Sequence, residues 1–199
     1  MAIKPILFNS EMVRAILDGR KDATRKIVKG FIPDDAVWGY TAFTPKGYIS
    51  CRGTFADGYG EKFFKLPCEP GDILYVRETW KKALNGYYYY EAWQRNDIAD
   101  VTKWKPSIRM PKEAARIWLK VTNVRVERLR EISAESALAE GADKYIHTNG
   151  GLDENMTITS FIGIWNSTIK KSGLDRYGWD ANPWVWVIEF ERCEKPERV

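Results

Sequence analysis

The chain opens with two patterns of hydrophobic positions. An apolar run over residues 3–8 predicts a first β-strand. Apolar residues then recur at the i, i+3, i+4 spacing of one helical face, which predicts a short amphipathic helix from Ser10, its expected N-cap, to about Asp18. Gly19 follows at the position where a glycine typically ends a helix.

Short strands separated by turns are predicted for the middle of the chain. Segment 31–64, rich in glycine and aromatic residues, predicts a hairpin-like insertion. A turn precedes the compact apolar strand 73–76, and a further strand is expected around 87–93. In segment 115–129 the apolar positions change phase by one residue at Asn123, which predicts a long strand with a β-bulge.

The last third of the chain predicts two helices and a final strand. Ser133 can cap a helix that runs to Glu140 and is closed by Gly141. Helical spacing of apolar residues predicts a second helix over 157–169, and the apolar run 184–190 predicts a strand buried on both faces. Short strands with a few short helices favour a β-barrel-like core with attached helices.

Composition agrees with one folded domain. The chain has 199 residues, of which 44% are hydrophobic and 29% charged, and no linker divides it, so we expect a single domain over residues 1–199. No apolar run approaches the roughly 18 residues of a membrane span, and the first residues lack the apolar region of a signal peptide. We therefore expect a cytoplasmic protein with no membrane partner.

Cysteine and histidine usage argues against several kinds of site. The three cysteines are widely spaced and form no CxxC motif, which favours reduced thiols over a disulfide framework. His147 is the only histidine, so a histidine-rich zinc site, a Ser-His-Asp triad and a Cys-His pair all lose most of their support. We expect no metal and no cofactor, and chemistry carried by Lys, Thr, Ser, Tyr, Asp or Glu.

Positive charge concentrates just after the first helix. The net charge is only +4, but segment 20–29 contains five basic residues and one acidic residue, so this segment alone matches the net charge of the chain. Lys21 and Thr24 are expected on a turn that presents side chains into a cleft. A lysine desolvated beside other cations loses its proton more easily, and its neutral amine can then act as a base or nucleophile. The plain alternative is a solvated basic loop.

The basic segment matches a known signature. The G-x-K-x-x-T-x-R pattern of the ASCH family, a branch of the PUA-like β-barrels, is met by Gly19, Lys21 and Thr24. The chain resembles the longer, phage-associated members of that family. The last position of the signature holds Lys26, with Arg25 before it, and lysine lacks the planar fork of arginine. The resemblance covers about half of the chain and leaves insertions near 31–69, 81–113 and 143–182.

This resemblance implies a fold and an activity. The implied fold is α+β, a PUA-like (ASCH) mixed β-barrel with flanking short helices and insertions. Small bacterial ASCH proteins include amidohydrolases that remove the acetyl group from N4-acetylcytidine, and the resemblance carries over a lysine, a threonine and a glutamate. Lys21 and Thr24 match directly, and Glu140 is our choice for the glutamate over Glu135. We therefore expect a metal-independent amidohydrolase acting on N4-acetylcytidine-like N-acyl amides.

Other functions stay open alongside this one. They are a non-catalytic RNA-binding module, a ribonuclease, and a phage host-interaction protein that keeps the barrel as a scaffold. RNA binding would use strand charges such as Lys120 and Arg125, although Glu127 can cancel part of that charge. The residues expected to contact substrate or nucleic acid are Arg20, Arg25, Lys26, Glu78 and Trp80. The expected partner is RNA or a modified nucleoside, and the oligomeric state is left open.

Overall fold

The computed structural model describes residues 1–94 and 103–197 of the chain. Its strands are β1 (Ile3–Leu7), β2 (Ala23–Ile27), β3 (Val37–Gly39), β4 (Tyr48–Phe55), β5 (Gly58–Lys65), β6 (Ile73–Arg77), β7 (Trp80–Ala83), β8 (Gly86–Tyr89), β9 (Trp118–Arg128) and β10 (Trp184–Cys193). Its α-helices are α1 (Ser10–Leu17), α2 (Tyr90–Gln94), α3 (Ala134–Ala139), α4 (Glu154–Thr168) and α5 (Leu174–Tyr177). The expected insertion 81–113 lies partly outside the described residues.

A five-stranded mixed sheet organises the fold. Its strand order is β1-β6-β9-β10-β2, with β1 parallel to β6 and the other neighbours antiparallel. A three-stranded sheet, β3-β4-β5, and a two-stranded sheet, β7-β8, complete the strands of the described residues. The hairpin-like insertion predicted for 31–64 is confirmed, because β4 and β5 form an antiparallel hairpin within it.

The five-stranded sheet does not close into the predicted barrel. Strands β1 and β2 lie at its two ends and do not pair with each other in the described part of the chain. The end of α3 contacts the chain just before β2, where the Asp22 N–H donates to the Ala139 carbonyl at 2.9 Å. Lys21 and Glu140 form a single antiparallel bridge beside it. The α+β class is therefore confirmed, and the closed barrel is replaced by an open sheet.

One face of the five-stranded sheet and part of the other are buried. One face packs against α1 and the three-stranded sheet, which contributes Ile49 and Phe64. Part of the other face packs against α3 and α4, where Phe161 and Trp165 belong to one apolar cluster with Val187. Residues of β10 enter both clusters, so the predicted double burial of the final strand is confirmed. This packing brings α3 and α4 next to β2.

The β-bulge lies where the sequence predicts it, whereas the cap of the first helix does not. The register of β9 with β10 shifts between Glu189 and Phe190, opposite Asn123, and the bulge is confirmed. The N-cap of α1 is Asn9, whose side chain accepts from the Met12 N–H at 2.8 Å. The predicted Ser10 cap is therefore wrong by one residue. Asparagine and serine are equivalent in this role, so local pattern alone did not separate them.

The strand expected around 87–93 is shorter than predicted. It ends at Tyr89, and α2 follows directly. The buried Glu91 carboxylate of α2 makes ion pairs with Arg14 of α1 and with Arg116, each at 3.3 Å. These contacts hold the segment against α1 in a helical turn. No helix among the described residues is both long enough and apolar enough to cross a membrane.

Candidate active site

Two helix ends meet at the start of β2. Helix α1 ends at Leu17, and Gly19 takes a left-handed conformation, with φ 72°, that turns the chain back toward the sheet. Helix α3 ends in the same way at Gly141, with φ 91°. A Cβ at Gly141 would lie 3.0 Å from the Cβ of Ala15, so only glycine allows the two helix ends to approach this closely. The approach places Lys21 beside Glu140.

Lys21 is buried and fully hydrogen bonded. Its side chain is 0% exposed, and its Nζ donates to the Ala23 carbonyl at 2.7 Å, to the Glu140 carbonyl at 2.9 Å and to Glu140 Oε2 at 3.1 Å. The plain alternative of a solvated basic loop is therefore wrong for Lys21. Burial lowers the pKa of Lys21 below its usual 10.5; Glu140 opposes this shift, and Arg25 adds to it.

Glu140 is held by two cations. Its Oε2 accepts from Lys21, and its Oε1 accepts from Arg25 Nη1 at 3.0 Å. Glu140 is 6% exposed and is the C-cap residue of α3, so the helix end fixes its backbone while the cations fix its carboxylate. Lys21 and Glu140 are 119 residues apart in sequence, yet the structure brings them into direct contact.

Thr24, Arg25 and Lys26 lie on strand β2 and not on a turn. In antiparallel register Thr24 faces Ile188, and Arg25 faces Val187. Successive side chains of a strand point to opposite faces, so Thr24 and Lys26 share one face and Arg25 points to the other. Arg25 extends under α4, with its guanidinium carbon 5.7 Å from the Phe161 ring centroid.

A cleft opens between β2, the end of β1 and helix α4. Its volume is about 420 Å³, and Thr24, Arg25, Lys26 and Glu140 all line it. Thr24 is 4% exposed, and its hydroxyl makes no hydrogen bond with the described residues.

The walls of this cleft are largely apolar and aromatic. The apolar side chains that line it include Phe8, Met12, Phe161, Ile164 and Trp165. They come from the residue after β1 and from α1 and α4, and they present the surface that a planar ring would contact. The cleft thus combines a free hydroxyl, a paired carboxylate and an apolar wall.

Glu135 and Glu140 occupy different surroundings. Glu135 is an exposed residue in the first turn of α3, and it lines a separate cleft with Asp22 and Arg125. Hydrogen bonds from its own N–H and from the Ser133 hydroxyl lower the pKa of Glu135. Of the two carboxylates weighed from the sequence, Glu140 alone contacts Lys21 in the described structure.

Arg20 lies near the cleft but does not line it. It is exposed, pairs with Asp18 at 3.5 Å and donates to the Gly141 carbonyl at 3.4 Å. It lines a neighbouring cleft of about 270 Å³ that shares Glu140 with the first. Arg20 is therefore placed to act on ligands at the edge of the site.

The structure does not bring Glu78 and Trp80 to the cleft. Glu78 is buried, and Arg116 donates to both of its carboxylate oxygens at 2.8 Å. Trp80 is buried in a separate apolar cluster with Met110 and Trp118. The expectation that these two residues contact the substrate beside Lys21 is therefore corrected, because each has a partner of its own elsewhere in the fold.

A row of ion pairs continues from Glu140 across the sheet. Arg25 also binds Glu127, Glu127 binds Arg125 at 3.1 Å, and Arg125 binds Glu189. Positive and negative charges alternate along this row, which comprises Lys21, Glu140, Arg25, Glu127, Arg125 and Glu189. The sequence shows the Arg125–Glu127 neighbours, but the roles of Arg25 and Glu189 depend on strand register.

Other basic side chains of β9 are also paired. Lys120 binds Glu191 at 3.2 Å, and Arg128 binds Asp34 at 3.1 Å. These pairs reduce the positive potential that an RNA backbone would meet on β9.

Two further observations concern the identity of the site. Among the residues that the structure describes, no group of three or more His, Cys, Asp or Glu side chains is arranged to hold a metal ion. Comparison with protein-family models, with curated proteins and with solved structures gives no match for this chain.

Proposed function

We propose that this protein is an amidohydrolase whose active site comprises Lys21, Thr24 and Glu140. The observation that carries the proposal is the buried Lys21–Glu140 pair beside a cleft lined by Glu140 and by Thr24, whose hydroxyl makes no hydrogen bond with the described residues. A carboxylate coupled to a lysine with a lowered pKa is a proton carrier, and a hydroxyl without a partner is a candidate nucleophile.

The reaction divides between these groups. The Thr24 hydroxyl, or a water that it holds, attacks the amide carbonyl and gives its proton to the Lys21–Glu140 pair. The pair then donates a proton to the amide nitrogen as the C–N bond breaks, and the amine leaves. If Thr24 itself attacks, a water hydrolyses the resulting ester and releases the carboxylic acid. The lowered pKa of Lys21 makes transfer of its proton to Glu140 less costly.

The substrate class follows from the walls of the cleft and from the resemblance to ASCH proteins. A volume of about 420 Å³ falls within the range of roughly 300–1,000 Å³ for small-molecule sites. Aromatic and aliphatic side chains on one wall suit a planar base. We therefore propose N-acyl amides of nucleobases, with N4-acetylcytidine as the first compound to test.

A non-catalytic RNA-binding role has less support. It requires an open basic groove, whereas Arg25 and Arg125 are engaged by carboxylates. Their charge is therefore offset before any phosphate arrives, and the same holds for the ribonuclease alternative. Nothing in the site favours the host-interaction alternative over catalysis.

Turnover of N4-acetylcytidine tests the proposal. The purified protein is incubated with the compound, and released cytidine and acetate are separated by chromatography. We expect the wild type to release both in equal amounts and Thr24→Val to lower the rate at least about 100-fold. Thr24→Ser keeps the hydroxyl and should keep measurable activity. Thr159→Val, on the exposed face of α4, is the control that removes a threonine outside the cleft.

Two results would contradict the proposal. The first is a wild type that releases no cytidine from N4-acetylcytidine or from a panel of other N-acyl nucleosides. The second is a Thr24→Val variant that is as active as the wild type and as the Thr159→Val control.

A further inference from the structure

The charged side chains that line the cleft are Arg25, Lys26 and Glu140. Lys21 pairs with Glu140, and Arg25 pairs with both Glu140 and Glu127. The charges of these four side chains sum to zero. Lys26 lines the same cleft, and it makes no ion pair within the described part of the chain. The cleft therefore carries one uncompensated positive charge.

Lys26 lies close to Thr24, the proposed nucleophile, on the same strand. Lys26 and Thr24 are two residues apart on β2 and point to the same face of the sheet, which places their backbones about 7 Å apart. Lys26 faces Trp186 in the strand register and remains exposed. Its flexible stem lets the ammonium reach a group located beside a substrate bound at Thr24.

The surroundings favour an anion at this place. Desolvation by the neighbouring protein lowers the pKa of Lys26, and a bound anion would offset that effect. No carboxylate of the described residues does so in the free protein, whereas Lys21 and Arg25 both have one. A bound anionic ligand would supply the opposite charge that Lys26 lacks among the described residues.

We propose that Lys26 binds an anionic group of the substrate, so that the natural substrate is a charged N-acyl amide and not a neutral nucleoside. This inference rests on the proposed amidohydrolase function. The anion has two chemical sources, a phosphate on the sugar of an acylated nucleotide or a carboxylate on the acyl group. Both would form a charge-assisted hydrogen bond with the Lys26 ammonium.

Three probes separate these sources. N4-acetylcytidine is neutral, N4-acetylcytidine 5′-monophosphate carries a phosphate, and N4-succinylcytidine carries a carboxylate on its acyl group. We expect kcat/KM for one of the charged compounds to exceed that for N4-acetylcytidine at least about 10-fold. Lys26→Met should abolish this preference, and Lys26→Arg should retain it. Lys29→Met removes an exposed lysine outside the cleft and should change nothing.

Binding is measured separately from turnover. Calorimetry on Thr24→Val, which leaves the probes intact, compares the same three compounds with and without the added Lys26→Met change. The expected result is binding of one charged probe at least about 10-fold tighter than the neutral probe, lost in the double variant.

The outcomes distinguish the two proposals. Tighter binding of a charged probe through Lys26, without turnover by the wild type, would uphold the anion site and refute the amidohydrolase. Equal affinity for the three probes, a charge preference that survives Lys26→Met, or binding of none of them would overturn the anion site. Turnover of N4-acetylcytidine with equal kcat/KM for all three probes would refute the anion site and leave the amidohydrolase in place.

Discussion

Replacing Lys21 with methionine is expected to destabilise the fold strongly. Methionine retains an unbranched apolar side chain, but it removes the charge and the three hydrogen bonds from Nζ. Two backbone carbonyls and Glu140 Oε2 then lose their lysine donor at the junction of β2 and α3. Arg25 still binds Glu140 Oε1, so the carboxylate keeps one of its two cations.

The magnitude follows from burial. Removing one partner of a buried ion pair typically costs about 3–5 kcal/mol. We expect the lower end, about 3 kcal/mol, because desolvation already disfavours the charged Lys21 and Arg25 remains in place. For a chain of this size 1 kcal/mol shifts Tm by about 2–4 °C, so the melting temperature should fall by about 6–12 °C.

Urea unfolding and thermal melting measure this loss. Lys26→Met is the matched control, since it removes an exposed lysine from the same short segment and should change the free energy of unfolding by less than about 0.5 kcal/mol. A double-mutant cycle with Glu140→Gln should give a coupling energy of about 1–3 kcal/mol. A Lys21→Met protein as stable as the Lys26→Met control would refute the structural role assigned to Lys21.

Two further predictions concern pH and thiol reactivity. Burial alone would raise the pKa of Asp72, but hydrogen bonds from Lys4 and from two backbone N–H groups hold that pKa below 3.8. The contribution of Asp72 to stability is therefore present above pH 3.8 and is lost as the pH falls through the lowered pKa. Urea unfolding between pH 6 and pH 3 should show a smaller loss of stability in acid for Asp72→Asn than for the wild type, and equal losses would refute this prediction. Burial raises the pKa of Cys51 and Cys68 to about 11, so roughly one thiol in a thousand at these positions is ionised at pH 8. A thiol reagent should therefore modify both cysteines only after the protein unfolds. Rapid modification of either cysteine in the native protein would contradict the assigned burial.

Local pattern predicted the elements that depend on neighbouring residues. Gly19 and Gly141 end their helices as expected, and Ser133 caps α3, because capping depends on a few adjacent positions. The bulge at Asn123 was also visible, since a phase change in apolar residues is a property of one strand.

Long-range pairing was beyond the reach of these patterns. The five-stranded sheet stays open, and the end of α3 pairs with the residues just before β2, a contact between segments more than one hundred residues apart. Glu78 was assigned to the wrong place because its partner, Arg116, belongs to a distant part of the sequence. The choice of Glu140 depends on the family resemblance, and periodicity alone does not place it beside Lys21.

Turnover by two glutamine variants of α3 tests the central claim most directly. Glu140→Gln and Glu135→Gln make the same chemical change at opposite ends of one short helix, and Glu140 alone of the two contacts Lys21 in the described structure. With N4-acetylcytidine, or with whichever charged analogue the wild type prefers, Glu140→Gln should lower kcat/KM at least about 100-fold. Glu135→Gln should leave kcat/KM unchanged and cost at most about 1 kcal/mol of stability through the helix dipole. Equal activity of the two folded variants, or a loss confined to Glu135→Gln, would contradict an active site built on Lys21, Thr24 and Glu140.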